Sequence, residues 1–359
     1  MYPTKPLLSR TLAVLASVAL CGCDWIVMKP HGDIAQQQAQ LIVTSTLLML
    51  LIIVPVIALT LFFAYRYRQS NTEATYAPDW DHSTRLELVI WGAPLLIIIA
   101  LGAITWITTH KLDPYRPLDR ISEDKPLAPG VKPLEVYAVS LDWKWLFIYP
   151  EQGIATINEM AAPVDRPIHF RLTSTTVMNT FYVPALAGMI YTMPGMETQL
   201  HAVINKAGAY DGLSAHYSGA GFSDMRFKFH GLSDADFARW VEASKASGSA
   251  LTRDDYLKLE QPSAKEAVRR YASVEPGLWS AILDRCVDGK KMCASQMMAI
   301  DAAGGAGKGG MASTMRSPWL TLDGVKRERT VVAALCTPVN PLGLALETTA
   351  LSTSLAPQN

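Results

Sequence analysis

The hydrophobic residues of this 359-residue chain are concentrated first in two long stretches. Residues 41–65 and 88–109 contain no Asp, Glu, Lys or Arg. Each stretch exceeds the roughly 20 residues that a helix needs to cross about 30 Å of hydrocarbon. Pro55 and Pro94 lie inside them, and neighbouring helices satisfy the carbonyls that a proline frees within a membrane. We therefore predict transmembrane helices over 41–65 and 87–109, rather than buried helices of a soluble protein.

The polar segments around these stretches set their orientation. The link between them, residues 66–86, carries Arg66, Arg68 and Arg85. The segment before the first stretch, residues 23–40, has Lys29 as its one basic side chain apart from His31. Because basic residues favour the cytoplasmic side, we predict that the link is cytoplasmic and that both flanking segments lie outside.

After a Pro-rich linker over residues 110–133, the pattern changes to short runs rich in β-branched and aromatic residues, separated by Gly and Pro clusters. These runs are Leu134–Leu141, Ile154–Ile157, Ile168–Thr173, Thr198–Ile204 and Met225–Phe229. Several short strands at such spacing are typical of an all-β sandwich or small barrel, which we predict over residues 134–230.

Residues 231–298 are predicted to form a helical C-terminal extension. Phe237, Trp240 and Val241 recur at helical spacing, and Ser233 precedes them as a cap. Residues 299–359 are rich in Gly, Ala and Ser without sustained periodicity, and we predict a disordered tail.

The first 22 residues have the layout of a bacterial secretory signal, with Lys5 and Arg10 before an apolar run. The run ends in Leu-Cys-Gly-Cys, which resembles the lipobox of bacterial lipoproteins. That resemblance implies cleavage before Cys23 and lipid attachment to it, although Cys21 departs from the usual lipobox residue. The alternative is an uncleaved anchor with a stray cysteine.

The net charge of the chain bears on its class of partner. The formal net charge is zero, so no basic footprint indicates a nucleic-acid partner.

Two further cysteines lie near the C-terminal end of the predicted helical extension. On one straight helix Cys286 and Cys293 would be about 10 Å apart, too far for a disulfide. We therefore expect these two thiols to be free or only opportunistically paired, and the alternative is a disulfide formed in an oxidising compartment.

The segment Asp211–Met225 reads DGLSAHYSGAGFSDM. It resembles the copper loop of cytochrome c oxidase subunit II, with the pattern G-x-C-S-E-x-C-G-x-x-H-x-x-M. Gly212, Gly219 and Met225 are in register with that pattern. The ligand positions hold other residues: Ser214 and Ser218 replace the two cysteines, and Phe222 replaces the histidine.

The family's other histidine lies upstream in a V-x-H-x-F-x-x-P segment, where this chain has Asn179 within VMNTFYVP. Copper prefers thiolate and imidazole ligands, and the thioether of Met225 alone cannot hold a binuclear copper centre. The resemblance therefore implies a subunit II without copper, which belongs to the quinol oxidase branch of the haem-copper family. The seven histidines show no metal-ligand spacing beside a cysteine, and His216 lies where the family uses only a backbone carbonyl.

This resemblance covers about residues 20–285 and implies a fold, a function, a location and a set of partners for the chain. The fold would be membrane-anchored and all-β: two transmembrane helices, a cupredoxin-like sandwich or barrel, and a short helical extension. The chain would be subunit II of a proton-pumping ubiquinol oxidase that reduces O2 to water in the bacterial inner membrane, with its C-terminal domain in the periplasm. It would bind no cofactor and hold no catalytic residue. Haems and copper are expected in subunit I, and the other partners would be smaller membrane subunits, ubiquinol and membrane lipid.

Glu87 is the ionisable residue that the resemblance ties to turnover. It lies at the predicted cytoplasmic mouth of the second span, where the family has an acid near a proton-uptake channel of subunit I. A carboxylate at that interface can collect protons. The alternative is an ordinary acid favoured at a helix N-terminus.

Other interpretations stay open at this point. A copper-containing cytochrome c oxidase subunit is disfavoured by the missing ligands. A free-standing membrane lipoprotein that serves as a binding module is the alternative from another class. The aromatic run DWKWLFIYP at 142–150 favours packing on a half-buried strand or at the membrane interface over electron transfer. Ser214 and Ser218 lack the G-x-S-x-G context of a hydrolase nucleophile.

Overall fold

The computed structural model describes residues 25–75, 77 and 79–302. The predicted signal segment, the lipid-attachment residue Cys23 and residues 303–359 of the predicted tail lie outside this range. The described residues form two compact units. The first contains residues up to 251 and 259–274, and the second contains residues 252–258 and the chain from 275 onward.

Two long helices precede the β-rich part of the first unit: α1 (Asp33–Arg66) and α2 (Thr84–Lys111). Both extend beyond the predicted spans, because hydropathy marks the hydrocarbon-compatible part of a helix rather than its ends. No residue in the most apolar 18-residue window of either helix is buried within the chain. Lipid or other proteins must therefore cover these surfaces.

The segment before α1 is fixed to the β-rich part by backbone hydrogen bonds. The amides of His31 and Gly32 both donate to the carbonyl of Ala185, at 3.0 and 2.9 Å, and the amide of Asn205 donates to the carbonyl of His31 at 2.8 Å. Gly32 allows this close approach: a Cβ there would lie 2.5 Å from the carbonyl oxygen of Val203. The start of the first membrane helix is therefore attached to the soluble domain.

The first unit contains two main sheets that pack as a sandwich. The strand bounds are β1 Arg120–Ser122, β2 Lys125–Pro126, β3 Leu134–Leu141, β4 Lys144–Tyr149, β5 Ile154–Ile157, β6 Glu159–Pro163, β7 Ile168–Ser174, β8 Asn179–Tyr182, β9 Ile190–Thr192, β10 Thr198–Ala202, β11 Gly208–Ser214, β12 Arg226–Leu232, β13 Ala250–Leu251, β14 Arg269–Tyr271 and β15 Ser273–Val274. The six-stranded sheet has the order β10-β7-β3-β4-β5-β14, and the five-stranded sheet has the order β6-β12-β11-β8-β9. Strand β3 pairs antiparallel with β4 and parallel with β7, where Leu134 faces Ile168.

Aromatic side chains fill the space between the sheets. Trp145 and Phe147 of β4 meet Phe181 of β8 and Phe227 of β12, with the rings of Phe147 and Phe227 5.0 Å apart between centroids. Every residue of β4 is buried. The aromatic run that the sequence singles out is therefore a core strand.

Lys144 begins this buried strand and keeps its ammonium group away from water. The ammonium donates to the carbonyl of Gln261 at 2.8 Å and to the hydroxyl of Ser263 at 2.5 Å. Burial lowers the pKa of Lys144. These bonds tie the segment after residue 260 to the sandwich.

The extension over residues 231–298 is helical only in part. The predicted cap is confirmed: the amide of Asp236 donates to the Ser233 hydroxyl, and α3 (Asp234–Lys245) follows it. However, β12 continues to Leu232, and β14 pairs with β5 and adds an edge strand to the six-stranded sheet. A three-residue strand shows too little alternation to be read from sequence.

The second unit contains α5 (Leu278–Leu283) and α6 (Ala294–Ala302), and most of α4 (Arg253–Leu259). Helix α6 includes the first four residues of the predicted disordered tail, 299–302. Cys286 and Cys293 form a disulfide with Cα atoms 4.7 Å apart, so the expectation that they are free or only opportunistically paired is wrong. The premise of one straight helix fails, because α5 ends at Leu283 and Arg285 adopts a left-handed conformation that turns the chain back.

Candidate functional site

The predicted copper-loop positions lie at the ends of neighbouring strands in the five-stranded sheet. Asn179 begins β8, Ser214 ends β11, and Met225 directly precedes β12. Strand β11 pairs with both β8 and β12, and this pairing places Ser214 opposite Phe181. Sheet pairing thus brings together positions that are 46 residues apart in the chain.

Asn179 and Ser214 contact each other directly. The single hydrogen of the Ser214 hydroxyl has two acceptors within reach, Asn179 Oδ1 at 3.2 Å and the carbonyl oxygen of His216 at 3.3 Å from the hydroxyl oxygen. The side-chain amide of Asn179 donates to the carbonyl of Val177 at 3.3 Å. Both side chains are buried. At these two ligand positions, a hydrogen bond between side chains stands where the family places metal ligands.

Trp143 covers the other half of the loop, a role that sequence reasoning missed. Its indole N–H donates to the carbonyl of Ser218 at 3.0 Å. Its ring lies against Gly221, where a Cβ would come within 2.4 Å of it, and against Gly219, which has a φ of +108°. The sequence offers no direct signal for this contact, since Trp143 is 75 residues away from Ser218.

Phe222 and Met225, the other two predicted copper-loop positions, make apolar contacts. Phe222 starts a short 3₁₀ helix over Phe222–Asp224, and its ring meets Tyr217 at 5.6 Å between centroids. Met225 is 1% exposed and belongs to the hydrophobic core between the sheets. Neither side chain is a copper ligand of the kind that the family pattern requires in company with thiolates.

The donor set at the loop is two hydroxyls, one amide and one thioether. Copper in such centres is held by thiolate and imidazole, so these residues do not fit it. Among the described residues, three metal-ligating side chains cluster only at Asp284, Cys286 and Cys293. The two sulfurs there form the disulfide, so neither is a thiolate ligand.

Glu87 lies in the first turn of α2, far from the loop along the chain. Its carboxylate is half exposed and lies 2.8 Å from Nδ1 of His82, a partner that sequence reasoning did not identify. Helix α2 has 28 residues and is therefore about 42 Å long, with Glu87 near one end and the β-rich part after the other. Glu87 therefore lies at the end of α2 that is distant from the copper-loop positions, and it forms a separate candidate site.

Family models match two segments of the chain. The periplasmic domain of cytochrome c oxidase subunit II matches residues 149–230, and the COX aromatic-rich motif matches residues 245–290. The fold and these matches define the chain as an oxidase subunit II with two membrane helices and a cupredoxin-like domain, as predicted.

Two curated relatives show to which branch of the oxidase family the chain belongs. The cytochrome bo(3) ubiquinol oxidase subunit 2 of Pseudomonas aeruginosa is 50% identical over 77% of this chain and 81% of its own length. The ubiquinol oxidase subunit 2 of Acetobacter aceti is 47% identical over 79% of this chain and 90% of its own. Among solved structures, the periplasmic domain of cytochrome oxidase subunit II of Bradyrhizobium japonicum covers 33% of this chain and 98% of its own, at 25% identity and a TM-score of 0.31. The chain belongs to the ubiquinol oxidase subunit 2 family, which confirms the predicted resemblance and makes it one subunit of an oxidase.

Proposed function

We propose that this chain is the copper-free subunit II of a proton-pumping ubiquinol oxidase, and that it supports assembly of the complex. The complex oxidises ubiquinol and reduces O2 to water, and the haems and copper are held by subunit I. The observation that carries this proposal is the hydrogen bond between Asn179 and Ser214 at two former ligand positions.

Physical chemistry supports the copper-free state. A metal ion at this place would need the Ser214 hydroxyl and the Asn179 amide to leave their partners inside a buried site. Breaking buried hydrogen bonds costs about 1–3 kcal/mol for each group left unsatisfied. Bonds between copper and neutral oxygen ligands would offset little of that cost, because copper prefers soft donors.

An exposed apolar patch supports the assembly role. Tyr217 is 73% exposed, Tyr191 48% and Val177 44%. The three residues belong to the loop region, because Tyr217 contacts Phe222, Tyr191 contacts His216 and the carbonyl of Val177 accepts from Asn179. Exposed apolar clusters of this kind mark protein interaction sites, and we propose that subunit I covers this one.

Localisation to the bacterial inner membrane, with the C-terminal domain in the periplasm, has two supports. The arginines of residues 66–86 favour a cytoplasmic link. The disulfide between Cys286 and Cys293 fits an oxidising compartment. Lipid attachment at Cys23 remains part of this proposal and would hold the mature N-terminus at the outer surface.

The test of this function is purification of the complex through a tag on this chain after mild detergent extraction. We expect haem-containing subunits to co-purify, with oxidation of ubiquinol and none of reduced cytochrome c. A chain that purifies without haem would support the free-standing lipoprotein instead. Oxidation of cytochrome c, with a thiolate-to-copper absorption band that persists in this subunit, would overturn the copper-free assignment.

We further propose that Glu87 collects protons for uptake at the cytoplasmic face. The exposed carboxylate and its His82 partner form a pair of proton-binding groups at the mouth of a membrane helix. Glu87→Ala should lower quinol oxidase turnover while haem content and assembly stay normal, and Glu87→Asp should keep more of the activity.

A matched control is Glu73→Ala, which removes a carboxylate from the same cytoplasmic link. Turnover measured across pH decides the role of Glu87. A fully assembled Glu87→Ala enzyme with normal turnover at every pH would leave Glu87 as a helix N-terminal acid, worth up to ~1 kcal/mol of stability.

A further inference from the structure

A polar cavity lies where the two membrane helices meet the soluble domain. Its volume is about 170 Å³. The first turns of α1 line it with Asp33, Gln37 and Gln38, and the end of α2 lines it with Lys111. The linker after α2, a part of β10 that includes His201, and Gly188 and Met189 just before β9 form the rest of the wall.

The depth of this cavity matches the headgroup layer of a bilayer. Gln37 and Gln38 lie about one helical turn, roughly 5 Å, before the apolar run 41–65 of α1, and Lys111 lies about 3 Å beyond the uncharged run of α2. Headgroup and interfacial layers add about 5–7 Å on each side of the hydrocarbon. Trp25 and Trp106 are 67% and 70% exposed near these helix ends, as expected of an interfacial aromatic belt.

The charges of the cavity leave one cation and one anion without an ionic partner. Arg120 pairs with Asp33 at 3.0 Å, and Arg116 pairs with Asp119 at 2.7 Å. That leaves Lys111, which forms no ion pair with the described residues, and Asp113. One Asp113 oxygen accepts the backbone N–H of Tyr115 at 2.9 Å, and no described cation pairs with it.

His201, the one histidine in the described wall of the cavity, does not add charge at neutral pH. Burial, together with the adjacent His169, lowers the pKa of His201 to about 4. The rings of His201 and His169 are stacked with centroids 4.3 Å apart, which places the two imidazoles close enough to interact electrostatically. The cavity is therefore neutral overall, with one unpaired charge of each sign.

We propose that this cavity binds the headgroup of a zwitterionic phospholipid that ends in a primary ammonium. Lys111 takes the phosphate, and Asp113 accepts the ammonium N–H groups. A primary ammonium fits better than a quaternary one, because a carboxylate accepts its hydrogen bonds. Recognition of a quaternary ammonium uses aromatic rings, and the described lining contains no Trp, Tyr or Phe. A purely anionic headgroup would leave Asp113 facing a phosphate.

The test uses the whole oxidase complex, because this inference rests on the proposed orientation in the membrane. The complex is stripped of loosely held lipid, incubated with phosphatidylethanolamine, phosphatidylcholine or phosphatidylglycerol in mixed micelles, and analysed by native mass spectrometry. We expect selective retention of phosphatidylethanolamine. Lys111→Ala should reduce it by about fivefold, which corresponds to roughly 1 kcal/mol. Asp113→Asn should shift the preference toward phosphatidylglycerol.

Matched controls are Lys228→Ala and Asp211→Asn, which alter an exposed ion pair on the soluble domain. Equal lipid retention in the Lys111 variant and these controls would overturn the proposal. Equal retention of the three lipids would show that the site binds only the phosphate group that they share, and would overturn the proposal as well. A photoreactive residue at position 111 should label lipid, whereas labelling of a partner subunit would show that protein occupies the cavity. Quinol oxidation in the same samples reports separately on the proposed function.

Discussion

The loop that resembles a copper site and the membrane junction both place polar groups within an apolar surround, but these groups find partners in opposite ways. At the loop, Ser214 and Asn179 satisfy each other and Trp143 covers the backbone. At the junction, Asp33 is buried against Arg120, but a cavity with the unpaired Lys111 stays open beside it. At the loop the polar side chains satisfy one another, whereas at the junction Lys111 and Asp113 keep charges without an ionic partner among the described residues.

The largest effect in this comparison should come from Asp33 at the junction. Its side chain is 2% exposed and accepts from Arg120 at 3.0 Å and from Gln37 at 2.8 Å. Asp33→Ala leaves two donors without their acceptor, and we expect a loss of about 2–3 kcal/mol in the free energy of unfolding, discounted because Arg120 is partly exposed. Denaturant unfolding of the full chain in detergent measures it.

Asp119→Ala is the matched control for Asp33. Asp119 also accepts from an arginine beside the cavity, but its side chain is 68% exposed. Exposed ion pairs contribute little, so the expected change is within about 0.5 kcal/mol. Equal losses in the two variants would mean that burial does not distinguish these carboxylates.

On the loop side, Trp143 should contribute less, since it is only half-buried and has a φ of +66°. Trp143→Ala removes the ring from Gly219 and Gly221, and we expect a loss of about 2 kcal/mol. Trp143→Gly removes the same ring but relieves the left-handed backbone, so it should be more stable than the alanine variant by about 1 kcal/mol. Unfolding curves of both variants check the difference, and an alanine variant at least as stable as the glycine variant would contradict it.

The smallest effect should be a pH dependence from His201 at the junction. Burial, with His169 nearby, lowers its pKa to about 4, whereas an unfolded histidine titrates near 6.5. Between these values the unfolded chain binds the proton first, so stability is full above about pH 6.5 and declines as the pH falls toward 4. Since His201 is partly exposed, we expect at most about 1 kcal/mol.

His201→Gln isolates this contribution from the carboxylates that titrate in the same range. The difference in unfolding free energy between the native chain and the variant should change between pH 7 and pH 4. A difference that is constant over that interval would show that His201 titrates alike in the folded and unfolded chain.

Sequence alone determined the parts of this protein that depend on local pattern. The two membrane helices follow from uncharged runs that no soluble fold needs, and β3 and β5 follow from short apolar runs with clear borders. Ser233 caps α3 because a side-chain oxygen there meets free amides one turn later, a contact that spans three residues. The resemblance of residues 211–225 to a copper loop was also visible, because it rests on local spacing in the chain.

Tertiary structure alone decided the contacts between distant segments. Strand β14 joins β5 across more than one hundred residues, and the disulfide forms because the chain turns back at Arg285. Trp143 meets the loop, and Asp33 meets Arg120, through packing that no local pattern encodes. The physical reason is that such pairs are selected by burial and sheet pairing of the whole domain, whereas helix spans and caps are selected by their nearest neighbours in the chain.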